Sequence, residues 1–355
     1  MATPRKIACS PKIGDYHILT NMLVERCLGY ETMLVPPMTK RTLELGARHS
    51  PDMICTPFKK IMGSFIEAAE MGANVFIMPG AGCRLGFYDV LQKQILSDLG
   101  YDCELFVLFD YFPTATRLFK ALKEVNKDLT QDAFDTVFYT AAQIAFDMDS
   151  LSDFMRRHMG FEVTKGTFEK YYDAYLKEAP LAQNADEAKA IGLKHKEKLE
   201  SIPINKPKKP VRIGMVGEIY DLVEPFSNCY IEKWLAEHAV EIVRPFGLTS
   251  MPDVIFNVEN AIAKSGGYVD YNIGSTANEV IAQAYQMMND KIDGIIHVKP
   301  ASCSPEITAM AILQNMAQDH ETPIMYLTFD TETGEAGVHT RLEAFYDMIV
   351  MKGAF

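Results

Sequence analysis

The chain has 355 residues, 48% hydrophobic and 23% charged, which suits two globular domains of ordinary composition. Net charge is −12, from 47 acidic and 35 basic side chains, and the one dense basic run, Lys206 to Pro210, is short and proline-bounded, so no nucleic-acid surface is expected. No apolar run reaches the roughly 20 residues that span a bilayer, no signal-peptide core follows Met1, and the seven cysteines are an odd number; these features predict a cytoplasmic protein with reduced thiols, off the membrane.

In chain order, strand signals at Lys6–Cys9, Thr32–Val35, Asp52–Ile54, Asn74–Met78 and Glu104–Leu108 alternate with helical patterns near 16–28, 39–48, 57–71 and 86–99. Short apolar strands separated by helices predict a parallel sheet covered on both faces. From about Phe112 to Leu199 helical periodicity stands alone. Phe134, Val137, Phe138, Ala141, Ala142 and Phe146 recur at helical spacing, as do Phe168, Tyr171, Tyr172 and Tyr175, and both sets read as packing positions. Their number exceeds what one thin layer must bury, which predicts a dimer face, for a second copy or a related subunit. Pro203 to Pro210 reads as a solvated linker. Beyond it, strands at Val211–Val216, Glu241–Val243, Gly294–Val298 and Pro323–Phe329 alternate with helices near 226–238, 276–290, 305–318 and 337–352, and Ser275 is the expected N-cap of the second of these. The expected fold is α/β: two doubly wound, Rossmann- or flavodoxin-like parallel-sheet domains with a helical segment between them. The N-terminal domain is placed at 1–205, with its helical extension at about 112–200, and the C-terminal domain at 206–355.

Three cysteines carry the chemistry. Cys55-Thr56-Pro57 and Cys303-Ser304-Pro305 share one form and each opens a predicted helix, while Cys83 follows the strand run ending at Met78. Ligands of open parallel sheets lie beyond the carboxyl ends of strands, so the three thiols are expected to face one interdomain cleft. Proline suits the first helical position and Thr56 or Ser304 the cap, which sets each cysteine beside a helix N-terminus. Free amides and the helix dipole there favour thiolate. The set points to an iron–sulfur cluster. Such clusters usually take four thiolates, so three leave one iron open to substrate, water or another ligand. Cys9, ending the first strand, is the candidate for an additional ligand. Zinc is the rival metal but lacks its paired Cys or His spacing. Cys27 and Cys103 read as packing residues, and Cys229, placed early in a helix, as structural. Buried cysteine is common, so the metal-free alternative is a two-domain small-molecule-binding protein whose thiols simply pack.

The weaker, catalytic candidates are Glu306, three residues after Cys303, and Glu332 and Glu335 in the polar loop 330–337. Each competes with a plainer reading, a dipole-favoured first-turn residue for Glu306 and a capped turn for the loop. His297, inside an apolar strand, reads as a core histidine. Gly214 to Glu218 reads as a tight strand-to-helix turn, since the spacing of a dinucleotide fingerprint is missing.

Four stretches carry a resemblance: 297–306, 330–345, Gly214 to Tyr220 with Asn228, and 52–59. They resemble the 2-hydroxyacyl-CoA dehydratase superfamily, and more closely its branch related to dehydratase activators and double-cubane reductases. The resemblance covers both α/β halves and is weakest in the helical middle. It implies an oxygen-sensitive 4Fe–4S cluster held between two domains, with Cys55, Cys83 and Cys303 as ligands. It also implies an ATP-hydrolysing activator protein as partner, delivering low-potential electrons to an anaerobic enzyme. The chemistry implied is radical dehydration of a 2-hydroxyacyl-CoA or reduction of a small molecule. With three cysteines placed, a single cubane is expected rather than a double one. The loop begins Asp330-Thr331-Glu332 where that branch commonly has Asp-Glu-His, a departure that argues against carrying an acid/base role to it. The non-catalytic alternative is an electron relay, or a cluster or scaffold protein for the activator.

Overall fold

The computed structural model of the chain describes residues 5–78, 80, 87–108, 114–251, 257–274 and 276–353. Among them are two four-stranded, all-parallel sheets. The first contains β1 (Ile7–Cys9), β2 (Glu31–Thr32), β3 (Val75–Met78) and β4 (Glu104–Val107) in the order β2-β1-β3-β4. The second contains β5 (Val211–Gly217), β6 (Val240–Val243), β7 (Gly294–Pro300) and β8 (Ile324–Phe329) in the order β6-β5-β7-β8. The architecture is the doubly wound α/β arrangement expected from the alternating pattern. β3 and β7 are buried throughout; β3 accordingly reads as an unbroken apolar run, while β7 is apolar except for buried His297 and Lys299.

Around the first sheet run α1 (His17–Leu23), continued by a π-helical turn at Val24–Leu28, then α2 (Lys40–His49), α3 (Thr56–Glu70) and α4 (Asp89–Asp98). The helical segment consists of α5 (Ala115–Val125), α6 (Gln131–His158), α7 (Thr167–Glu178) and α8 (Ala185–Glu200). Around the second sheet run α9 (Ile219–Val223), α10 (Ile231–Glu237), α11 (Val258–Ala263), α12 (Ala277–Asn289), α13 (Ser304–Asp319) and α14 (Glu335–Gly353). No helix among the described residues is long and apolar enough to cross a membrane.

The chain divides into two compact units, one of Met1–Asp147 with Leu176–Gly192, the other of Met148–Tyr175 with Leu193–Phe355. The helical segment, expected as an extension of the N-terminal domain, is divided between the two units. The first unit's core gathers Ala8, Val75 and Ile77 from the sheet with Val24, Leu118, Leu122 and Phe134. The second packs Val216 and Ile295 against Val280, Ile281 and Ala284 of α12 and Ala309, Leu313 and Met316 of α13.

Three local expectations need correction. Asp52–Ile54 is no strand but a turn, in which the Ile54 N–H donates to the Pro51 carbonyl at 3.2 Å and Met53 is 83% exposed. Proline and aspartate favour the turn, and Met53 has no core to join. Within 134–146, Phe134 is buried and Phe138 stacks on it at 5.5 Å, but Phe146 is 60% exposed and packs no core. Cys229 lies before α10, not in it: Cys229 and Tyr230 both take left-handed backbone, φ +58° and +57°. The segment 203–210 is exposed along most of its length, as expected, and is tied at one point, where Lys206 Nζ reaches Glu241 at 2.9 Å and the Arg157 carbonyl at 3.2 Å. Ser275 lies outside the described residues, and Thr276 is the residue preceding α12.

Candidate functional site

Cys55 and Cys303 are each the N-cap residue of a long helix, α3 and α13, with extended backbone (φ −63°, ψ 151° and φ −81°, ψ 95°) and proline in the first turn. The cap thus falls on the cysteine, one residue earlier than the Thr56 or Ser304 expected. Their carbonyls accept the first helical bonds, from Phe58 N–H at 3.2 Å and Ile307 N–H at 3.0 Å. Both side chains are half-buried. Before Cys303 the chain reverses sharply through Ser302, whose φ of +67° is left-handed. That setting, a thiol at the positive end of a helix dipole, suits a thiolate ligand.

The two caps are nevertheless not equivalent positions of the fold. The strand order repeats, so β7 and α13 correspond to β3 and α4. The topological counterpart of Cys303 is therefore the β3–α4 segment that contains Cys83. Cys83 itself lies outside the described residues. Cys55 instead opens the helix that leads into β3, and its counterpart in the second unit is Thr276, at the start of α12. The repeated Cys-x-Pro spelling hides this, because both spellings suit any helix start.

α3 is held by α2 at very short range. A Cβ on Gly46 would stand 1.8 Å from the Lys59 carbonyl oxygen, and one on Gly63 1.9 Å from that of Thr42, so both positions require glycine. Buried Glu67 clamps the pair, accepting from Thr42 Oγ1 at 2.7 Å and Arg41 at 3.0 Å.

The other cysteines differ in kind. Cys9 is 1% exposed, and burial pushes its thiol far above the ordinary range, which favours a neutral packing group over a ligand. Burial likewise raises Cys27, to about 11, and Cys103, as expected for packing residues. Among the described residues no three His, Cys, Asp or Glu side chains are grouped so as to hold a metal ion. The described thiols at 55 and 303 suit a cluster ligand set in chemistry and exposure, and Cys9 does not.

The second unit carries a constellation that the sequence spacing did not reveal. Glu306 and His297 are both fully buried, and His297 Nε2 meets Glu306 Oε2 at 2.8 Å. Thr276 Oγ1 donates to Glu306 Oε1 at 3.2 Å. His297 is thus a core histidine as expected, but one that ties strand β7 to helix α13. Its Nδ1 is buried and has no hydrogen-bond partner among the described residues. Glu218 follows β5 and caps α9, accepting from the Asp221 N–H at 3.1 Å. The turn before it needs Gly217, since at φ +144° a Cβ would meet the Val298 carbonyl at 1.9 Å. Buried Asp221 takes the Ser227 hydroxyl hydrogen bond, and Asn228 donates to the Asp221 carbonyl at 2.8 Å. Burial first, then the charges of Asp221 and Glu306, push Glu218 up to about 8. β5 and β7 are the strands between which the order reverses, the place where open parallel sheets bind ligands.

Glu332 and Glu335 stand apart from this group. Both are exposed, in a turn that Asp330 closes through Thr333 Oγ1 (2.8 Å) and the Glu332 N–H (2.9 Å). Glu335 opens α14, 3.9 Å from His339. An apolar groove of about 800 Å³, lined by Ile307, Met310, Tyr326 and Met348, runs between α13, β8 and α14 toward the amino end of β8.

No protein-family model matches the chain, and no curated protein matches it.

Proposed function

We propose that the protein holds a 4Fe–4S-type cluster through Cys55, Cys83 and Cys303 and works in the cytoplasm as a redox component supplied with low-potential electrons by an ATP-hydrolysing activator. The observation that carries the reading is the placement of Cys55 and Cys303, half-buried at the N-termini of α3 and α13 behind proline-marked first turns. The cluster, when bound, supplies one-electron chemistry and an iron not capped by cysteine. The chain's own contribution is to hold thiolates at positive helix ends and to keep α3 fixed against α2. The substrate class is a small molecule or an acyl-CoA, for reductive or dehydratase-like chemistry.

The test is iron retention in single variants purified anaerobically. Cys55→Ala, Cys83→Ala and Cys303→Ala are each expected to lose iron, while Cys9→Ala, Cys27→Ala and Cys103→Ala keep it. Equal retention in all six refutes the ligand assignment.

A further inference from the structure

Lysine is almost never buried without a partner, yet strand β7 carries such a lysine at its carboxyl end. Lys299 is 6% exposed, and no hydrogen bond or ion pair holds its Nζ among the described residues. Side chains alternate along a strand, so Lys299 lies on the same face of β7 as His297, roughly 6.6 Å nearer the carboxyl end. His297 meets Glu306, in the first turn of α13, at 2.8 Å. Lys299 therefore stands on the α12–α13 face of the sheet, at the level where those helices begin. The two helix starts converge there. A Cβ on Gly274 would lie 3.7 Å from Pro305 Cγ, and Thr276 Oγ1 donates to Glu306 Oε1 at 3.2 Å. α12 and α13 run for 13 and 16 residues, and neither N-cap side chain, Thr276 or Cys303, bonds the amides of its own helix. First-turn N–H groups have no partner inside a helix and lie at the positive end of its dipole.

We infer that Lys299 and the first turns of α12 and α13 form a binding site for a carboxylate group at the carboxyl end of the second sheet. Lysine Nζ offers donors and no acceptor, and helix N-termini likewise offer N–H groups, so the group they take is an oxyanion. β5 and β7 are the strands between which the order reverses, where open parallel sheets take their ligands. Two acids share this end of the sheet, and neither pairs with Lys299. Both oxygens of Glu306 are engaged, by His297 and Thr276. Glu218, whose N–H donates to the Val298 carbonyl at 3.0 Å, turns its carboxyl to the Asp221 N–H. One lysine against two nearby acids suits a ligand of single negative charge, so a carboxylate is favoured over a doubly charged phosphate. The ligand class is a small carboxylic acid, or a larger compound with a carboxylate arm. The site uses the second unit alone and needs no iron, so oxyanion binding and iron content are separate readouts.

Thermal unfolding of the intact chain, titrated with sodium acetate at an ionic strength held constant with sodium chloride, reads the site. Acetate is expected to raise the unfolding midpoint saturably, as a ligand of the folded state does. In Lys299→Met, which keeps an unbranched apolar stem, the apparent Kd for acetate should rise about tenfold or more, as loss of a charge-assisted hydrogen bond implies. Without acetate, the same variant should unfold at or above the wild-type midpoint, because a buried amine lacking a partner has been removed. Sodium phosphate at matched ionic strength is expected to give no Lys299-dependent rise. An acetate response that is absent in the wild type, or equal in Lys299→Met, overturns the inference. A larger Lys299-dependent response to phosphate refutes the carboxylate assignment. A midpoint that falls in Lys299→Met without acetate shows the lysine to be a structural group and overturns the inference as well.

Discussion

Replacing Gly63 with alanine tests how α3, and with it Cys55, is held. The added Cβ would lie 1.9 Å from the Thr42 carbonyl oxygen, and Cβ contacts under 3.0 Å are essentially never found, so α2 and α3 must part by at least about 1.1 Å (3.0 − 1.9). The obstructing atom is backbone, so no rotamer change relieves it. Over-packing of this kind costs about 1–3 kcal/mol. Parting the helices also stretches the Thr42 and Arg41 bonds to Glu67 and the Arg41–Glu70 pair at 2.7 Å. Hydrogen bonds to a buried charged group are worth roughly 1.5–3 kcal/mol, so a total loss of about 3–5 kcal/mol is expected. Urea unfolding of the first unit, followed by far-ultraviolet circular dichroism, measures it. Gly337→Ala is the control, as its Cβ meets nothing within 4 Å and α14 gains a better helix former. If Gly63→Ala unfolds within about 1 kcal/mol of wild type, the α2–α3 contact is not the constraint described.

Two further outcomes follow from the same geometry. Glu218 is raised from 4.5 to about 8 on folding, so the folded chain binds more protons than the unfolded one, and stability falls as pH rises through that window. The full difference corresponds to roughly 4–5 kcal/mol, an upper bound because the side chain is half-buried. Glu218→Gln should therefore match wild type near pH 4 and exceed it above pH 8 in thermal unfolding; equal pH profiles would contradict the burial account. In α6, Phe138→Asp places a charge against the Phe134 cluster and should cost several kcal/mol, on the order of 3. Phe146→Asp, at an exposed position, should stay within about 0.5 kcal/mol in the same denaturant titration and reports instead, by mass in solution, on any dimer face.

Much of the fold was legible because the physics behind it is local. Buried parallel strands such as 75–78 and the Gly294–Ile296 start of β7 are apolar on both faces, and helix starts marked by Cys-x-Pro obey capping preferences that act over a few residues. Asp52–Ile54 misled because three residues with two apolar side chains spell a short strand and a turn alike. The division of the helical segment was not legible, since periodicity in α6 reports which face is apolar and not which unit supplies the partner. Cys55 and Cys303 were legible as cysteines at helix starts, but their inequivalence was not, as it depends on strand order. The His297–Glu306–Thr276 network was hidden for the same reason. Its members are separated by 9 and 30 positions and meet only through the packing of β7, α12 and α13.

The central claim is tested most directly by iron and acid-labile sulfide per chain on anaerobically purified protein, with electron paramagnetic resonance after dithionite reduction. The account expects about four irons and four sulfides per chain and a reduced-cubane signal. Protein that carries no iron, and takes up none when iron and sulfide are supplied under reducing conditions, would contradict it.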